Sequence, residues 1–275
     1  MIVVTGATGN VGRYLVAELL AAGVKVCAVS RDPAGARLPA GVQVVRPGDL
    51  PVCDVAAVFL NPAVTWADGP EKFLGQACWH GVRRVVTLSS STAAAPSGPD
   101  NPLGGHHRRV EEAVEATGLE WTHLRPGAFA ANAAAWADQI RAGDVVEGPY
   151  AGAQLAPIHE ADIAEVAARA LLTDDLVGEA PVLTGPESLT QAEQVRLIGE
   201  ALGRPLRYRE IPPEVALERM TGPHLTREIA GSLLRMYAAA VDRPAEISPE
   251  TERITGHPGR GYARWAADRA PALFG

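Results

Sequence analysis

The sequence predicts an α/β protein, a doubly wound parallel sheet with helices on both faces, followed by a small, mainly helical C-terminal lobe. Three observations predict it. Short β-branched runs alternate with longer stretches of helical periodicity through the first half of the 275 residues. The first such run passes directly into a glycine-rich turn, Thr5-Gly6-Ala7-Thr8-Gly9-Asn10-Val11-Gly12. Beyond about Asn132 the alternation gives way to helices separated by Gly/Pro loops.

In order, the candidate strands are Ile2–Thr5, Lys25–Ser30, Val42–Arg46, Ala56–Leu60, Arg84–Ser89 and Glu120–Arg125. Each is a nearly unbroken apolar run, as expected for strands covered on both faces. Behind the first, Val11, Leu15, Leu19 and Ala22 recur at helical spacing and Gly23 supplies the stop. Only Pro47 to Val55 separates the third strand from the fourth. Parallel neighbours need about a dozen linking residues or more, so these two strands are expected to be non-adjacent or joined by a clipped loop. Later, Ala180–Leu183 and Leu206–Ile211 are strand-like, and Asp162-Ile-Ala-Glu165 and Thr190-Gln-Ala-Glu193 have capping-box spacing. The expected division is a nucleotide-binding unit over residues 1–131 and a substrate lobe over residues 132–275 that returns some elements to the core.

Lys and Arg total 25 against 32 Asp and Glu, a net charge of −7, which argues against nucleic acid or anionic lipid and for a small-molecule partner. Lys25 and Lys72 are the only lysines; the arginine bias reads as codon composition, not as a binding patch. Cys27, Cys53 and Cys78 lie far apart in segments that read as interior, so neither a disulfide framework nor a metal site is expected. The chain opens at once on an apolar strand, with no leader-like segment, and a reducing cytoplasm is the expected home.

The glycines at 6, 9 and 12 fall at a predicted strand-to-helix junction within a βαβ unit, the context a Rossmann-like dinucleotide site requires. Gly6 permits the tight turn, Gly9 lets the backbone approach a pyrophosphate, and Gly12 allows close helix packing. The helix start, with Thr8, Asn10 and Val11 around it, offers amides and a positive dipole end to the anion. At the end of the second strand stands Ser30-Arg31-Asp32-Pro33. Arg31 can grip a 2′-phosphate and Ser30 can add a donor, which favours NADP(H) over NAD(H). Asp32 can alternatively cap the following turn or accept a ribose hydroxyl.

These residues, with Gly48-Asp49-Leu50, Thr87-Leu88-Ser89-Ser90-Ser91, Trp121 to Gly127, Ile158 to Ile163, Glu246 to Gly256 and Tyr262 to Ala266, resemble the short-chain dehydrogenase/reductase superfamily. The closer resemblance is to its atypical NmrA-like branch, which includes NADPH:quinone reductases and NADP-sensing regulators. It spans nearly the whole chain. The resemblance implies that Asp49 and Leu50 flank the adenine, that Asn61 and Pro62 line the ribose side, and that Pro126 and Gly127 approach the nicotinamide carboxamide. It also places Ser89 in the cofactor site and matches Ser91 to the serine that polarises substrate oxygen. Asp49 is alternatively a turn acid, Pro126-Gly127 a strand exit, and Ser89 to Ser91 a strand terminus.

One departure bears on mechanism. The family's Tyr-x-x-x-Lys pair, in which lysine lowers the phenol's pKa, has no counterpart here. Aligning Glu111 with the acid that follows that motif puts Leu103 in the tyrosine's place and His107 in the lysine's. His107 is therefore the candidate for hydrogen-bonding the nicotinamide ribose or protonating a substrate oxygen, although it can equally be solvated or capping at the start of its helix. His106 is the weaker candidate. Adjacent helical histidines diverge by about 100°, so no metal site is expected.

Loops after the fourth, fifth and sixth strands should converge beside the nicotinamide, with Trp66, Phe129, Trp136, Tyr150 and His159 as candidate walls for an apolar or aromatic substrate. The leading expectation is an NADPH-dependent reductase of a small quinone, enone or carbonyl, assisted by Ser91, His107 or water. A noncatalytic NADP(H)-sensing regulator and a redox-neutral isomerase or cyclising enzyme are the alternatives. The partners expected are the small molecule and, at most, a second copy of the chain.

Overall fold

The computed structural model describes residues 1–47, 49, 54–65, 69–79, 81–95, 101–222 and 225–275. The chain runs β1 (Ile2–Thr5), α1 (Gly12–Ala21), β2 (Val26–Val29), β3 (Gln43–Val45), β4 (Ala57–Leu60), α2 (Pro70–Trp79), β5 (Arg84–Leu88), α3 (Pro102–Glu115) and β6 (Glu120–Pro126). It continues with α4 (Ala137–Ala142), β7 (Val145–Gly148), β8 (Gln154–Leu155), α5 (Glu160–Leu172), β9 (Val182–Leu183), β10 (Leu189–Thr190) and α6 (Gln191–Leu202). The last elements are β11 (Arg207–Glu210), α7 (Pro213–Met220), α8 (Arg227–Ala239), α9 (Glu250–Thr255) and α10 (Tyr262–Phe274). Short 3-10 turns follow β4 at Pro62–Val64 and β5 at Ser91–Ala94, and a third, Ala130–Trp136, precedes α4.

Seven parallel strands form a Rossmann-like sheet in the order β3-β2-β1-β4-β5-β6-β9. Here β3 takes the edge and β4 pairs with β1, so the two strands with the short connection are indeed non-adjacent. The order reverses between β1 and β4, which opens the crevice where such sheets bind ligands.

Alternation along β1 splits the core. Ile2 and Val4 face α1 and α5, packing with Leu15, Leu19, Ile163 and Val166. Val3 faces the other way, with Val58, Leu60, Leu74, Val110 and Val114 beneath α2 and α3. Helix α1 stops at Gly23, φ +74°, where the Gly23 amide donates to Leu20 O and the Val24 amide to Leu19 O.

A third cluster belongs to the later chain. Ile140, Val146, Val195, Ile198, Leu206, Trp265 and Phe274 pack where α4, α6 and α10 meet the parallel pair β7–β11. Of these strands only β11 is expected from sequence, as Leu206–Ile211; β7, β8 and β10 are not, because Val145–Gly148 is short and β8 and β10 have two residues each. Meanwhile α5 returns to lie beside α1, and β9 becomes the seventh strand of the main sheet.

Of the two capping boxes, Thr190 and Glu193 form theirs: the Glu193 amide donates to Thr190 Oγ1 at 3.1 Å and the Thr190 amide to Glu193 Oε2 at 2.7 Å. The other expectation is corrected. Helix α5 starts earlier, with His159 as its cap, and Asp162 is wholly buried, accepting from the Arg260 amide at 2.8 Å and from its guanidinium. Glu160 makes a similar tie: Oε1 accepts from the Ala131 amide at 2.7 Å and Oε2 from Trp265 Nε1 at 3.0 Å. Cys27 is buried, and burial pushes its thiol pKa up; Cys78 is exposed, which corrects its expected interior place, and Cys53 lies outside the described residues. Among the described residues, no helix is long and apolar enough to cross a membrane and no cluster of His, Cys, Asp and Glu could hold a metal ion.

Candidate cofactor and substrate site

The glycine turn sits at the sheet's reversal point and is sterically committed. Gly6 has φ +64°, and a Cβ there would stand 2.7 Å from Asn61 Nδ2. At Gly12 a Cβ would stand 2.2 Å from Gly6 O and 2.7 Å from Ala7 Cα, so the start of α1 lies directly on the turn. The Gly9 amide donates to Gly6 O at 2.9 Å, while Thr8, Gly9 and Asn10 are exposed on the outer side and Val11 is buried beneath them. Thr5 fixes the neighbouring strand end: its hydroxyl donates to Phe59 O at 3.0 Å and accepts from the Asn61 amide at 2.7 Å. This cradle, closed to any Cβ at Gly12 and exposed above, fits a dinucleotide pyrophosphate.

Beside it, Thr8, Arg13, Ser30, Asp32, Gly35, Ala36 and Arg37 line a cleft of about 370 Å³. Asp32 takes the capping alternative: its Oδ1 accepts from the Gly35 amide at 3.1 Å. Ser30 Oγ accepts from the Asp32 amide at 3.2 Å and donates to Asp32 O at 3.0 Å. Arg31 is exposed between Ser30 and Asp32 and is not among the residues that line this cleft; Arg13 and Arg37 are. Arg13 Nε donates to Gly9 O at 3.1 Å, which ties that guanidinium to the cradle itself. Arg37 has no carboxylate partner among the described residues. Two guanidinium groups and a hydroxyl around one cleft fit a phosphate monoester. Neither arginine was singled out in the sequence, because Arg37 lies beyond a turn of unknown course and Arg13 reads as an ordinary exposed helix residue.

At the other strand ends the expected residues divide. Asn61 caps the turn after β4, its Oδ1 accepting from the Ala63 amide at 3.0 Å, and Pro62 is buried behind it. Asp49 is exposed, its amide donating to Arg46 O at 3.1 Å; Gly48 and Leu50 lie outside the described residues. Gly127 is held by its amide to Leu183 O at 2.9 Å, and Ser91 Oγ stands 4.0 Å from where a Gly127 Cβ would be. Pro126, buried at the end of β6, leads into that turn.

Ser89 corrects a further expectation. It is buried, and its hydroxyl donates to Glu111 Oε1 at 2.6 Å instead of facing the cofactor crevice. Glu111, wholly buried on α3, also accepts from Arg125 Nε at 2.9 Å and Nη2 at 2.7 Å and faces Arg108 at 3.4 Å. Burial alone would raise the Glu111 pKa, but the hydrogen bonds from Arg125 and Ser89 outweigh it and hold the carboxyl below its ordinary range.

His107 lies one helical turn after Leu103 on α3, half-buried, its ring 5.8 Å from that of His106. Its Nδ1 is buried and has no hydrogen-bond partner among the described residues. Burial, then the neighbouring His106, lowers its pKa to about 4 against a smaller opposing pull from Glu111. The imidazole is therefore neutral near pH 7 and offers a hydrogen bond in place of the proton transfer its ordinary titration range suggested.

Two cavities adjoin this edge. One of about 490 Å³ lies between Thr92, Ala95, Asn101 and Leu103 on one side and α8 residues Ile229, Leu233 and Met236 on the other. The second, of about 540 Å³, begins at Ala128 and Phe129 and runs past Trp136, Tyr208, Leu233 and Tyr237. Phe129 and Trp136 line this second cavity. Tyr150 and His159 do not, and Trp66 lies outside the described residues. His159 is buried as the cap of α5, its Nδ1 accepting from the Ala161 amide at 3.0 Å. Tyr150 sits at φ +50° in a turn where its carbonyl accepts from Gln191 Nε2 at 3.1 Å. Tyr208 and Tyr237 escaped the sequence reading because β11 and α8 gave no sign of which face is turned inward.

A family model described as NAD(P)H-binding matches residues 6–174. The chain is 33% identical to a (4-alkanoyl-5-oxo-2,5-dihydrofuran-3-yl)methyl phosphate reductase of Streptomyces griseus, over 99% of both chains. It is 32% identical to an NAD(P)H azoreductase of Xenophilus azovorans, also over 99% of both. Among solved structures, the NADPH complex of an NADPH-dependent quinone oxidoreductase of Escherichia coli superposes with a TM-score of 0.77 at 21% identity, covering 100% of each chain. A Citrobacter triphenylmethane reductase complexed with NADP(H) gives 0.77 at 17% identity, covering 98% of this chain and 100% of the other. A mutant NmrA gives 0.73 at 16% identity, covering 98% and 95%. The likeness to these structures is one of fold.

Proposed function

The chain belongs to the NAD(P)H-binding family, on the fold of the atypical NmrA-like branch, and from that premise we propose that it is an NADPH-dependent reductase of small quinone, enone or carbonyl acceptors. The observation that carries this reading is the run of sites along the carboxyl ends of the strands of one sheet. The cradle at Gly6–Gly12 and the Arg13–Arg37 cleft meet at Thr8 and through the Arg13 bond to Gly9 O, and the turn Pro126–Gly127 leads straight into the cavity at Ala128 and Phe129. Two full-length relatives named as reductases support it.

When bound, the reduced nicotinamide supplies the hydride. The chain's own residues bind and orient. The Gly6–Gly12 amides and the dipole of α1 hold the pyrophosphate, and Arg13, Arg37 and Ser30 hold the 2′-phosphate that selects NADPH. Asn61 and Pro62 shape the ribose side, and neutral His107 offers its ring nitrogen to the nicotinamide ribose. Ser91, beside Gly127, donates to the acceptor oxygen, while Phe129 and Trp136 pack its flat face and exclude water. In this reading residues 1–131 bind the nucleotide and residues 132–275 select the acceptor.

Leu103 in the phenol's position favours a second reading, a regulator that senses the cofactor's redox state. The loss of NADPH absorbance over a panel of quinones and carbonyls, with calorimetric binding of NADPH and NADP⁺, decides between them. Turnover is expected. Absence of turnover with strong discrimination between the two redox forms would replace the reductase by the sensor.

A further inference from the structure

The polar groups that line the 540 Å³ cavity are nearly all engaged within the protein. Gln139 Nε2 donates to Glu147 O at 3.1 Å and its Oε1 accepts from the Glu147 amide at 2.7 Å. The Glu147 carboxylate pairs with Arg219 at 2.9 Å and with Arg209. Gln191 Nε2 donates to Pro149 O at 2.8 Å, Gln194 Nε2 reaches Leu189 O at 3.4 Å, and the Tyr208 hydroxyl donates to Pro149 O at 2.8 Å. Asn132 is exposed at the rim. Tyr237 differs: its hydroxyl has no hydrogen-bond partner among the described residues, yet it lines this cavity together with Phe129 and Trp136.

Helix α8 explains how the phenol comes to stand there. Ile229, Leu233 and Met236 turn toward Leu103 and Thr92, and Leu233 lines both cavities. Tyr237 follows Leu233 by one helical turn, so the same face that meets the apolar Leu103 presents a hydroxyl to the second cavity. Burial pushes the Tyr237 pKa up, so the phenol keeps its proton at neutral pH and acts as a donor. Tyr237 is half-buried and its hydroxyl is not spent on another of the described residues, so it is free to meet a ligand oxygen in this cavity.

We propose that Tyr237 is a second hydrogen-bond donor, beside Ser91, to the carbonyl oxygen of the acceptor, and that it makes the cavity selective for flat acceptors carrying such an oxygen. This rests on the reductase reading above. As hydride arrives from NADPH, the acceptor takes up two electrons and one hydrogen and negative charge gathers on its oxygen. The Tyr237 O–H shares that charge, a proton from water completes the reduced product, and NADP⁺ remains. Tyr237 keeps its own proton throughout, so no step is needed to restore it.

The test is Y237F in the full chain, with menadione as the carbonyl acceptor, a triphenylmethane dye cation as an acceptor without a carbonyl oxygen, and NADPH affinity from nicotinamide fluorescence. Loss of the donor is expected to lower kcat/KM for menadione by about 10- to 100-fold, with dye turnover and NADPH affinity held within about twofold. Equal losses on both acceptors, or no loss on menadione, would overturn the assignment while leaving the reductase reading in place. A wild-type chain that reduces the dye but not menadione would overturn it in the same way. A wild type that binds NADPH and reduces neither acceptor would overturn both.

Discussion

Ser89 and Glu111, 22 residues apart in sequence, meet through a 2.6 Å hydrogen bond in which the hydroxyl donates to a fully buried carboxylate. That bond joins the end of β5 to the middle of α3. It therefore sets the distance between the turn that carries Ser91 and the helix face that carries Leu103 and His107. Arg125 closes the arrangement from β6 with two hydrogen bonds to the same carboxylate.

Removing the Glu111 charge leaves the Arg125 guanidinium, 14% exposed, without its counter-ion. Glu111→Gln is expected to cost about 3 kcal/mol of stability, read as a lower denaturant midpoint at unchanged slope. A midpoint within error of wild type would show that the pair is not a structural tie.

Acid weakens this fold in two steps. His107 and His123 have folded pKa values of about 4 against an ordinary 6.5. The unfolded chain therefore binds more protons as pH falls through that interval, and stability drops from about pH 6.5 toward 4. Glu111 adds the second loss: its contribution is complete above the unfolded value of about 4.3 and disappears as pH falls through its lower folded value. His123 is buried and stacked on Trp121 at 4.5 Å, so His123→Phe keeps the stack and should flatten the first step of a Tm-against-pH curve. An unchanged slope between pH 6.5 and 4 would remove His123 from the account.

Cofactor choice rests on the cleft after β2. Arg37→Ala is expected to raise the Kd for NADPH by about 10- to 100-fold, the range for a lost charged hydrogen bond, and to leave NADH within about twofold. Arg31→Ala, at an exposed site outside the cleft, should do less than Arg37→Ala. Titration of both variants with both nucleotides checks this, and the reverse ranking would return the role to Arg31.

Gly12→Ala brings a methyl group to 2.2 Å from Gly6 O, and both atoms in the clash are main-chain. Calorimetry should record no binding of either NADPH or NADH, together with destabilisation of about 1–3 kcal/mol from overpacking. Retained nucleotide affinity would mean that the cradle can move aside.

Much of this molecule was legible in its residues. Apolar runs such as Ile2–Thr5 and Ala57–Leu60 are buried on both faces, and such runs carry their own signal. The short link after β3 foretold a non-adjacent partner because chain length limits crossovers. What escaped were features fixed by tertiary packing. Asp162 has helix-cap spacing, yet it is buried by Arg260, which arrives from 98 residues away. Ser89 and Ser91 differ by two places, and only the fold shows that one bonds Glu111 while the other stands near Gly127. Arg31 and Arg37 were chemically equivalent in sequence; the turn locked by Asp32 and Gly35 decides which reaches the cleft.

Glu160 has one oxygen on the Ala131 amide and the other on the Trp265 indole. The last helix is thereby a buttress for the segment that bears Trp136. Exopeptidase trimming into α10 would strip that carboxylate of its indole and slacken the acceptor chamber from behind. Damage of this kind should register as poorer acceptor affinity.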